Sequence, residues 1–592
     1  MNRRSVLRPA STHAMSVRRP SRLLFVLATL CFMILFIRIL PGQSVMNLTP
    51  SFARKQPIAF RPSSFDWSTV QEHFPVQPDS LTPLPTGHKK LPKVQHDFPS
   101  YEHDEHTEFR RSKVKDVFLK CWNSYKAQAW GKDELRPISG GGKDTFGGWA
   151  ATIVDALDAL YIMDLEDEFR HAAAAAVEID FADTEDTAVN LFETTIRHLG
   201  GLLSAYDLSG EEALLRKAKE LGEMLYHAFD TPNRMPGFWL DFEAAKSGTQ
   251  LGGTRDPAAG PASLSMEFSR LSQLTGDPKY FDAVHRVKKF LQDTQESTSL
   301  PGMWPTHLDF QHMSASGSHG YSLGALSDSL YEYLIKTYLL LGGADDSWRQ
   351  MYARAMEVVE KHLLFRPMTP RKDDVLFSGN TWVRVDEGGR VDLDAEVQHL
   401  GCFAGGMFLL GGRTMDVSRH LDIGVRLTWG CRWGYSVMPT GMMPEIFGLF
   451  ACRGNEDLLD FCPWDNERWR AHTLAPTLEK GWRNAREPAY QLRPEAIESM
   501  FVLWRISGDE SLRDAAWDMF ESIMQATETD LGNAAIANVT VKRGQAEKLD
   551  SMESFWLGET LKYFYLIFSP PGLISLDEYV LNTEAHPFKI PR

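Results

Sequence analysis

The chain has 592 residues, a formal net charge of −15 at pH 7, and 43% hydrophobic and 11% aromatic residues. This size allows several domains or one large helical ring, and the hydrophobic content supports a full core. Nucleic acid is excluded as an expected partner, because phosphate binding needs clustered lysine and arginine and the body of the chain has no basic run.

The N-terminus predicts a membrane anchor. Six arginines precede an uncharged apolar stretch at 23–37, and a snorkelling Arg38 extends the span to 23–40. A cleaved signal peptide is the alternative, but no convincing small-residue cleavage site follows. The basic flank places 1–22 in the cytosol and the rest of the chain in the lumen, as in a single-pass type II membrane protein.

A proline-rich segment follows the predicted anchor, from 41 to 100. Its prolines break any helix before it propagates, so the composition predicts a semi-extended stem. From 101 to 592 no further low-complexity linker appears, which favours a single folded domain.

Within that domain, four helix-length apolar segments run into short turns that contain glycine. A second amphipathic helix follows, such as Glu212–Phe229 or Pro278–Gln292, so each unit is predicted to be an αα-hairpin. Repeated hairpins must stack as an open solenoid or a closed toroid. The four turns begin at Leu208, Leu274, Leu341 and Ile506.

Carboxylates lie near the start of each of these apolar segments, and parallel first helices would bring them to one rim. The acids are Glu193, Glu267, Asp328, Glu332, Glu495 and Glu498. A solvated face and, for the last two, the helix dipole are the ordinary explanations. The like charges Asp328 and Glu332, four residues apart, repel each other unless a shared proton, a cation or a polyhydroxylated ligand offsets them.

The C-terminus predicts two short strands, Leu576–Leu581 and Ala585–Ile590, around a turn that contains Thr583. Oxygen ligands at such a turn suit a hard cation such as calcium, and a plain surface hairpin is the alternative. Of the six cysteines, Cys31 lies in the predicted span. The other five can pair in a lumenal compartment, but their spacing does not fix the connectivity.

Together these segments resemble the class I α-1,2-mannosidases, glycoside hydrolase family 47, from about Phe118 to Pro587. The motifs that carry the resemblance include Ala151-Thr-Ile-Val-Asp-Ala-Leu, Phe192-Glu-Thr-Thr-Ile-Arg, Asp328-Ser-Leu-Tyr-Glu-Tyr, His399-Leu-Gly-Cys-Phe, Arg493-Pro-Glu-Ala-Ile-Glu, Met552-Glu-Ser-Phe and Asn582-Thr-Glu-Ala-His-Pro. The resemblance implies an all-α fold, an (αα)7 barrel plugged by a C-terminal β-hairpin that presents Ca²⁺ to the sugar.

The resemblance also implies calcium-dependent hydrolysis, with inversion, of α-1,2-linked mannose from high-mannose N-glycans in the Golgi or endoplasmic reticulum. Glu495 matches the general base, and Glu193 or Asp328 the acid. Thr583 would bind calcium. By the same resemblance, the water molecules bound to calcium would be held by Glu332, Glu498, Glu553 and Glu584. The mannose pocket would be lined by Arg197, Glu267 and Arg493. Cys402 and Cys431 would form a structural disulfide.

Three positions depart from the family pattern. Leu326 stands where the endoplasmic reticulum enzymes that remove one mannose carry arginine, which predicts Golgi-like trimming of several branches. Leu330 and Gln398 also differ, which affects fine subsite geometry. The alternative function is a glycan-binding lectin of ER-associated degradation with little turnover, but those proteins generally lack the Cys402 and Cys431 pair.

Overall fold

The computed structural model describes residues 57–87, 89–98, 104–453 and 457–591. The predicted cytosolic tail at 1–22, the predicted anchor at 23–40 and the first part of the predicted stem lie outside these residues. Within the described ranges, no helix combines the length and apolar character needed to cross a bilayer.

Fourteen long helices of the described chain form two concentric rings. In chain order they are α1 Glu105–Gln128, α2 Ala151–Ile162, α3 Glu166–Ala176, α4 191–209, α5 Glu212–Tyr226, α6 Ser265–Thr275, α7 Pro278–Thr294, α8 Asp328–Leu340, α9 Asp346–His362, α10 Ala404–Met415, α11 Ser418–Ser436, α12 Glu495–Ser507, α13 Ser511–Thr527 and α14 556–567. Even-numbered helices form the inner ring. Each contacts the next, and α14 contacts α2, which closes the (αα)7 barrel.

The hairpin turns are as the sequence predicts. Gly210, Gly276 and Gly508 end α4, α6 and α12 in the left-handed conformation, with φ of 69°, 74° and 71°. A residue with a Cβ atom is strained there, so glycine ends these helices at low cost. The predicted helix at 212–229 ends at Tyr226 and continues as one 3₁₀ turn, His227–Phe229.

Short antiparallel strands fill the connections. They are β1 Glu134–Leu135, β2 Gly142–Lys143, β3 Ala188–Asn190, β4 Trp239–Asp241, β5 Asp256–Pro257, β6 His307–Leu308, β7 Gly320–Tyr321, β8 Leu364–Phe365, β9 Phe377–Ser378, β10 Asn380–Arg384, β11 Arg390–Asp394, β12 Glu396–Gln398, β13 Ile446–Leu449, β14 Trp482–Glu487, β15 Tyr579–Leu581 and β16 Pro587–Lys589. Sheets of two or three strands result. Strands β3 to β7 and β10 to β14 precede inner helices and therefore lie on the rim formed by the N-termini of those helices.

The predicted C-terminal hairpin is present, with strands shorter than expected, Tyr579–Leu581 and Pro587–Lys589. It packs against inner helices α4 and α8. The amide of Asn582 at its tip donates to Ile196 O at 3.0 Å and to Glu267 at 2.7 Å. Because these partners come from α4 and α6, the tip is fixed inside the ring.

Two further inner helices hold the same tip. Lys562 on α14 donates to Ala585 O at 2.8 Å, and its Nζ lies 2.7 Å from Asp158 on α2. Asp158 also lies 2.7 Å from Nδ1 of His586. All three charged side chains are fully buried, so each depends on the others for compensation.

Residues 57–87 and 89–98, part of the predicted stem, lie along the outside of the barrel. Ser63 donates to Glu220 on α5, Thr82 to Asp282 on α7, and Lys89 to Gly342 O after α8. The Trp67 side chain is 5% exposed. This part of the proline-rich segment therefore belongs to the folded unit, which begins earlier than the boundary predicted at 101.

The disulfide between Cys402 and Cys431 is present and joins the turn before α10 to α11, which confirms the expected pairing. A second disulfide, which the sequence left open, joins Cys452 and Cys462. Cys121 is free and buried.

Candidate active site

A cavity of about 170 Å³ opens where the N-terminal ends of the inner helices meet the hairpin tip. Two arginines, Arg197 and Arg493, line it together with seven carboxylates: Glu193, Asp328, Glu332, Glu495, Glu498, Glu559 and Glu584. A larger cavity of about 800 Å³ lies on the outer wall between α1 and α13. The acidic side chains of this larger cavity are exposed to solvent. The smaller cavity contains the buried acids whose pKa values are shifted, and it is therefore the candidate active site.

Glu193 lies in the first turn of α4, and Asn190 caps this helix by accepting from Glu193 N at 3.0 Å. The next turn, Thr194–Leu199, is a π-helix. Arg197 nevertheless reaches back to Glu193 at 2.9 Å, as the sequence predicts, and across to Glu584 at 2.7 Å. This arginine therefore joins α4 to the hairpin tip.

Asp328 begins α8 after a strained residue, Leu326, whose φ is 80°. Burial raises the pKa of Asp328 to about 7, and the charges of Glu332 and Glu495 add to the rise. A carboxyl group with this pKa holds a proton near neutral pH, as a general acid requires.

Lys336 compensates two of the lining acids. It is buried, forms an ion pair with Glu332 one turn earlier on α8, and lies 3.3 Å from Glu498 on α12. Burial still raises the pKa of Glu498 to about 7 despite the lysine. The sequence predicted that something must offset the repulsion between Asp328 and Glu332, and for Glu332 this residue does so.

Glu495, at the start of α12, has a pKa that is shifted in the opposite direction to those of Asp328 and Glu498. Burial favours its neutral form, but a hydrogen bond from His399 and the charge of Arg493 outweigh it, so the pKa of Glu495 is lowered. His399 Nδ1 lies 3.2 Å from Glu495 Oε2, and its Nε2 lies 2.8 Å from the Tyr435 hydroxyl. If Tyr435 donates to Nε2, the neutral imidazole carries its proton on Nδ1 and donates it to Glu495.

Glu559, which the sequence analysis did not select, also lines the cavity. It lies in a second π-helical turn, Trp556–Thr560, at the start of α14. Burial and the neighbouring carboxyl of Glu584 raise the pKa of Glu559, and burial raises that of Glu584 to about 7. The two groups can therefore share a proton.

Two other expected members lie outside the cavity lining. Glu267 is fully buried behind the hairpin, where it accepts from Tyr333 at 2.7 Å and from Asn582. It therefore holds the hairpin and is not among the residues that line the cavity. Glu553 is half-buried next to Glu134, six residues before the acid that does face the cavity.

Thr583, at the hairpin tip, lines the cavity, and its backbone N–H donates to the Tyr333 hydroxyl at 3.3 Å. Among the described residues, no group of three or more histidine, cysteine or acidic side chains is arranged to hold a metal ion directly. The donors nonetheless fit a hard cation that keeps most of its water. Thr583 lines the same cavity as Asp328, Glu498 and Glu584, and burial raises the pKa of each of these carboxyl groups.

Comparison with known proteins agrees with this geometry. The glycosyl hydrolase family 47 model matches residues 117–590. The chain is 35% identical to a Spodoptera frugiperda mannosyl-oligosaccharide alpha-1,2-mannosidase IA, over 81% of this chain and 66% of the relative. It is 34% identical to the human endoplasmic reticulum mannosyl-oligosaccharide 1,2-alpha-mannosidase, over 93% and 75%.

A solved structure is also similar, the alpha-1,2-mannosidase from Trichoderma reesei. Its TM-score is 0.73 at 30% identity, and the match covers 82% of this chain and 99% of that one. The family match spans most of the chain, and the fold and the ordered motifs agree with it. The chain belongs to glycosyl hydrolase family 47, the class I α-1,2-mannosidases.

Proposed function

We propose that this protein is a calcium-dependent hydrolase that removes terminal α-1,2-linked mannose from high-mannose N-glycans with inversion at the anomeric carbon. The observation that carries the proposal is the pair Asp328 and Glu495. They line one cavity, and their pKa values are shifted in opposite directions. Such a pair supplies an acid and a base at the same pH. The names of the relatives supply the substrate class.

In this mechanism Glu495 accepts a proton from the attacking water as the water oxygen bonds to the anomeric carbon. Asp328 donates a proton to the glycosidic oxygen as the bond from that oxygen to the anomeric carbon breaks. Glu193, which forms an ion pair with Arg197, remains the alternative donor. Thr583 would hold calcium, which when bound would position water and sugar hydroxyls.

The first test separates hydrolysis from glycan binding. The lumenal part of the protein is incubated with a nine-mannose glycan, with and without a calcium chelator. Release of mannose that stops on chelation supports the proposal, whereas tight binding without release supports the lectin alternative. Glu495→Gln should abolish turnover with the thermal unfolding temperature retained, and an active variant would refute the assignment of the base.

A leaving-group experiment assigns the acid. Asp328→Asn and Glu193→Gln are compared on the glycan and on an aryl mannoside whose leaving group needs no protonation. The variant that lacks the proton donor should lose about 10²- to 10⁴-fold in kcat on the glycan and much less on the aryl mannoside. If only Glu193→Gln shows this recovery, Glu193 is the donor.

We infer that the enzyme trims several branches and acts in the lumen of the Golgi or endoplasmic reticulum behind the sequence-predicted anchor at 23–40. The branch inference rests on Leu326, which is 42% exposed and lacks the planar donors with which arginine would hold one branch. Leu326→Arg should leave a partly trimmed product. Chromatography of the products over time decides this, and an unchanged order of removal would contradict it.

A further inference from the structure

Two tryptophans stand out on the rim around the active site. Among the tryptophans of the described ranges, only Trp239 and Trp382 are more than half exposed, at 54% and 51%. Trp239 lies on β4 and Trp382 on β10, both in connections that lead to inner helices. Neither lines the catalytic cavity. Because tryptophan is usually well buried, two exposed indoles on one rim suggest a binding role.

Trp382 lies on the central strand of a three-stranded sheet. Its register partner on β7 is Gly320. A Cβ atom at Gly320 would lie 2.9–3.3 Å from three atoms of the six-membered indole ring, so this ring packs closely against the glycine backbone. The surrounding side chains are charged, since Asp392 opposite Trp382 accepts from Arg384 and Arg390. About half of the Trp382 surface is left toward solvent.

Trp239 is joined directly to the catalytic machinery. Its register partner on β3 is Asn190, the residue that caps Glu193. Phe238 packs edge-on against Trp239, with ring centroids 5.8 Å apart, and Phe238 O accepts from Leu191 N at 3.0 Å. The position of this indole is therefore fixed relative to the first residues of α4.

A chain of hydrogen bonds and strand pairings connects the two tryptophans along the rim. Phe238 N donates to Asp256 on β5, β5 pairs with β6, and Thr306 N next to β6 donates to Gly320 O. Leu326 joins the same path, because its carbonyl accepts from Ala259 N at 2.8 Å. The exposed leucine is therefore hydrogen-bonded to the segment that directly follows β5.

We propose that Trp239 and Trp382 bind mannose residues in the arms of the high-mannose N-glycan that are not being cleaved. This inference rests on the proposed function. The C–H face of a pyranose packs on an aromatic face, while its hydroxyls bond to the charged groups around it. A protein partner fits less well, because isolated rings among ion pairs make no continuous apolar patch. Two exposed indoles on the rim that also carries Leu326 would orient a branched glycan without fixing one branch.

The test compares a branched substrate with one that fills only the cavity. Trp239→Ala, Trp382→Ala and the double variant are assayed on a nine-mannose glycan and on an α-1,2-linked mannose disaccharide. For each single variant, the ratio of kcat/KM for the glycan to kcat/KM for the disaccharide should fall about tenfold, and tryptophan to phenylalanine should recover most of it. Phe109→Ala, an exposed ring on outer helix α1, is the matched control and should leave the ratio unchanged.

An unchanged ratio in both alanine variants would overturn the inference, as would equal losses on the two substrates. Calorimetry measures the affinity of the nine-mannose glycan for the protein, and the Glu495→Gln substitution prevents hydrolysis during the measurement. There the alanine substitutions should weaken binding about tenfold, and undiminished affinity would overturn the inference. If the unsubstituted protein hydrolyses neither substrate, the proposed function fails, and the binding measurement alone then decides the role of the tryptophans.

Discussion

The hydrogen bond from His399 to Glu495 should set the acidic limb of the pH profile. Glu495 acts as a base only when ionised, so kcat/KM falls as the pH drops through the pKa of Glu495. His399 is fully buried, and its Nδ1 lies 3.2 Å from the Glu495 carboxylate. Removing this donor from a buried site favours the protonated form and raises the pKa of Glu495.

The size of the effect follows from the charge on the acceptor. A hydrogen bond to an ionised group contributes about 1.5–3 kcal/mol, and about 1.4 kcal/mol corresponds to one pKa unit. His399→Ala should therefore move the acidic limb upward by about 1–2 pH units. The alkaline limb, which reports the general acid, should move much less.

The assay is kcat/KM against pH on the disaccharide at saturating calcium, with thermal unfolding as a check on the fold. Tyr435→Phe is the graded control, because it removes only the hydroxyl that orients His399 from the other side. Its acidic limb should move in the same direction by a smaller amount. An acidic limb that stays in place in a folded, active His399→Ala variant would refute the role of Glu495 as the titrating base.

The remaining predictions concern stability. Lys336→Met leaves two buried glutamates uncompensated and should lower the unfolding free energy by about 3–5 kcal/mol, with partial recovery when either glutamate is changed to glutamine. Removing the disulfide by Cys402→Ala with Cys431→Ala should cost roughly 3–4 kcal/mol, more than removing the second, which closes a shorter loop. Trp67→Ala should cost about 3–5 kcal/mol if segment 57–98 packs as described, whereas a loss below 1 kcal/mol would contradict that packing. Denaturant unfolding measures all three.

Local sequence signals predict the hairpins well. Each turn depends on a glycine that can adopt positive φ after an apolar run, and both features are visible within about twenty residues. Segment 57–98 is different, because its proline-rich composition describes the isolated chain. Its contacts with Glu220 and Asp282 join residues more than 150 positions apart, which composition does not encode.

The lining acids show where sequence reasoning fails within a helix. Position in the first helical turn predicts Asp328 and Glu495 correctly as cavity residues, because both begin regular α-helices. Glu559 was missed because it lies in a π-helical turn. Such a turn takes more residues than an α-helical one, so the following side chains rotate away from the faces that a 3.6-residue period predicts. Glu553, six residues earlier, was expected instead because the resemblance includes the motif Met552-Glu-Ser-Phe.

The repulsion between Asp328 and Glu332 indicates how the site separates its roles. The sequence left three ways to offset it open, and the structure supplies one of them for Glu332, the buried cation Lys336. No basic side chain of the described chain forms an ion pair with Asp328, and burial raises its pKa to about 7. A proton on Asp328 therefore relieves the remaining repulsion. Burial makes the charged form of Asp328 unfavourable, and for the same reason it keeps on the carboxyl group the proton that is donated to a leaving sugar.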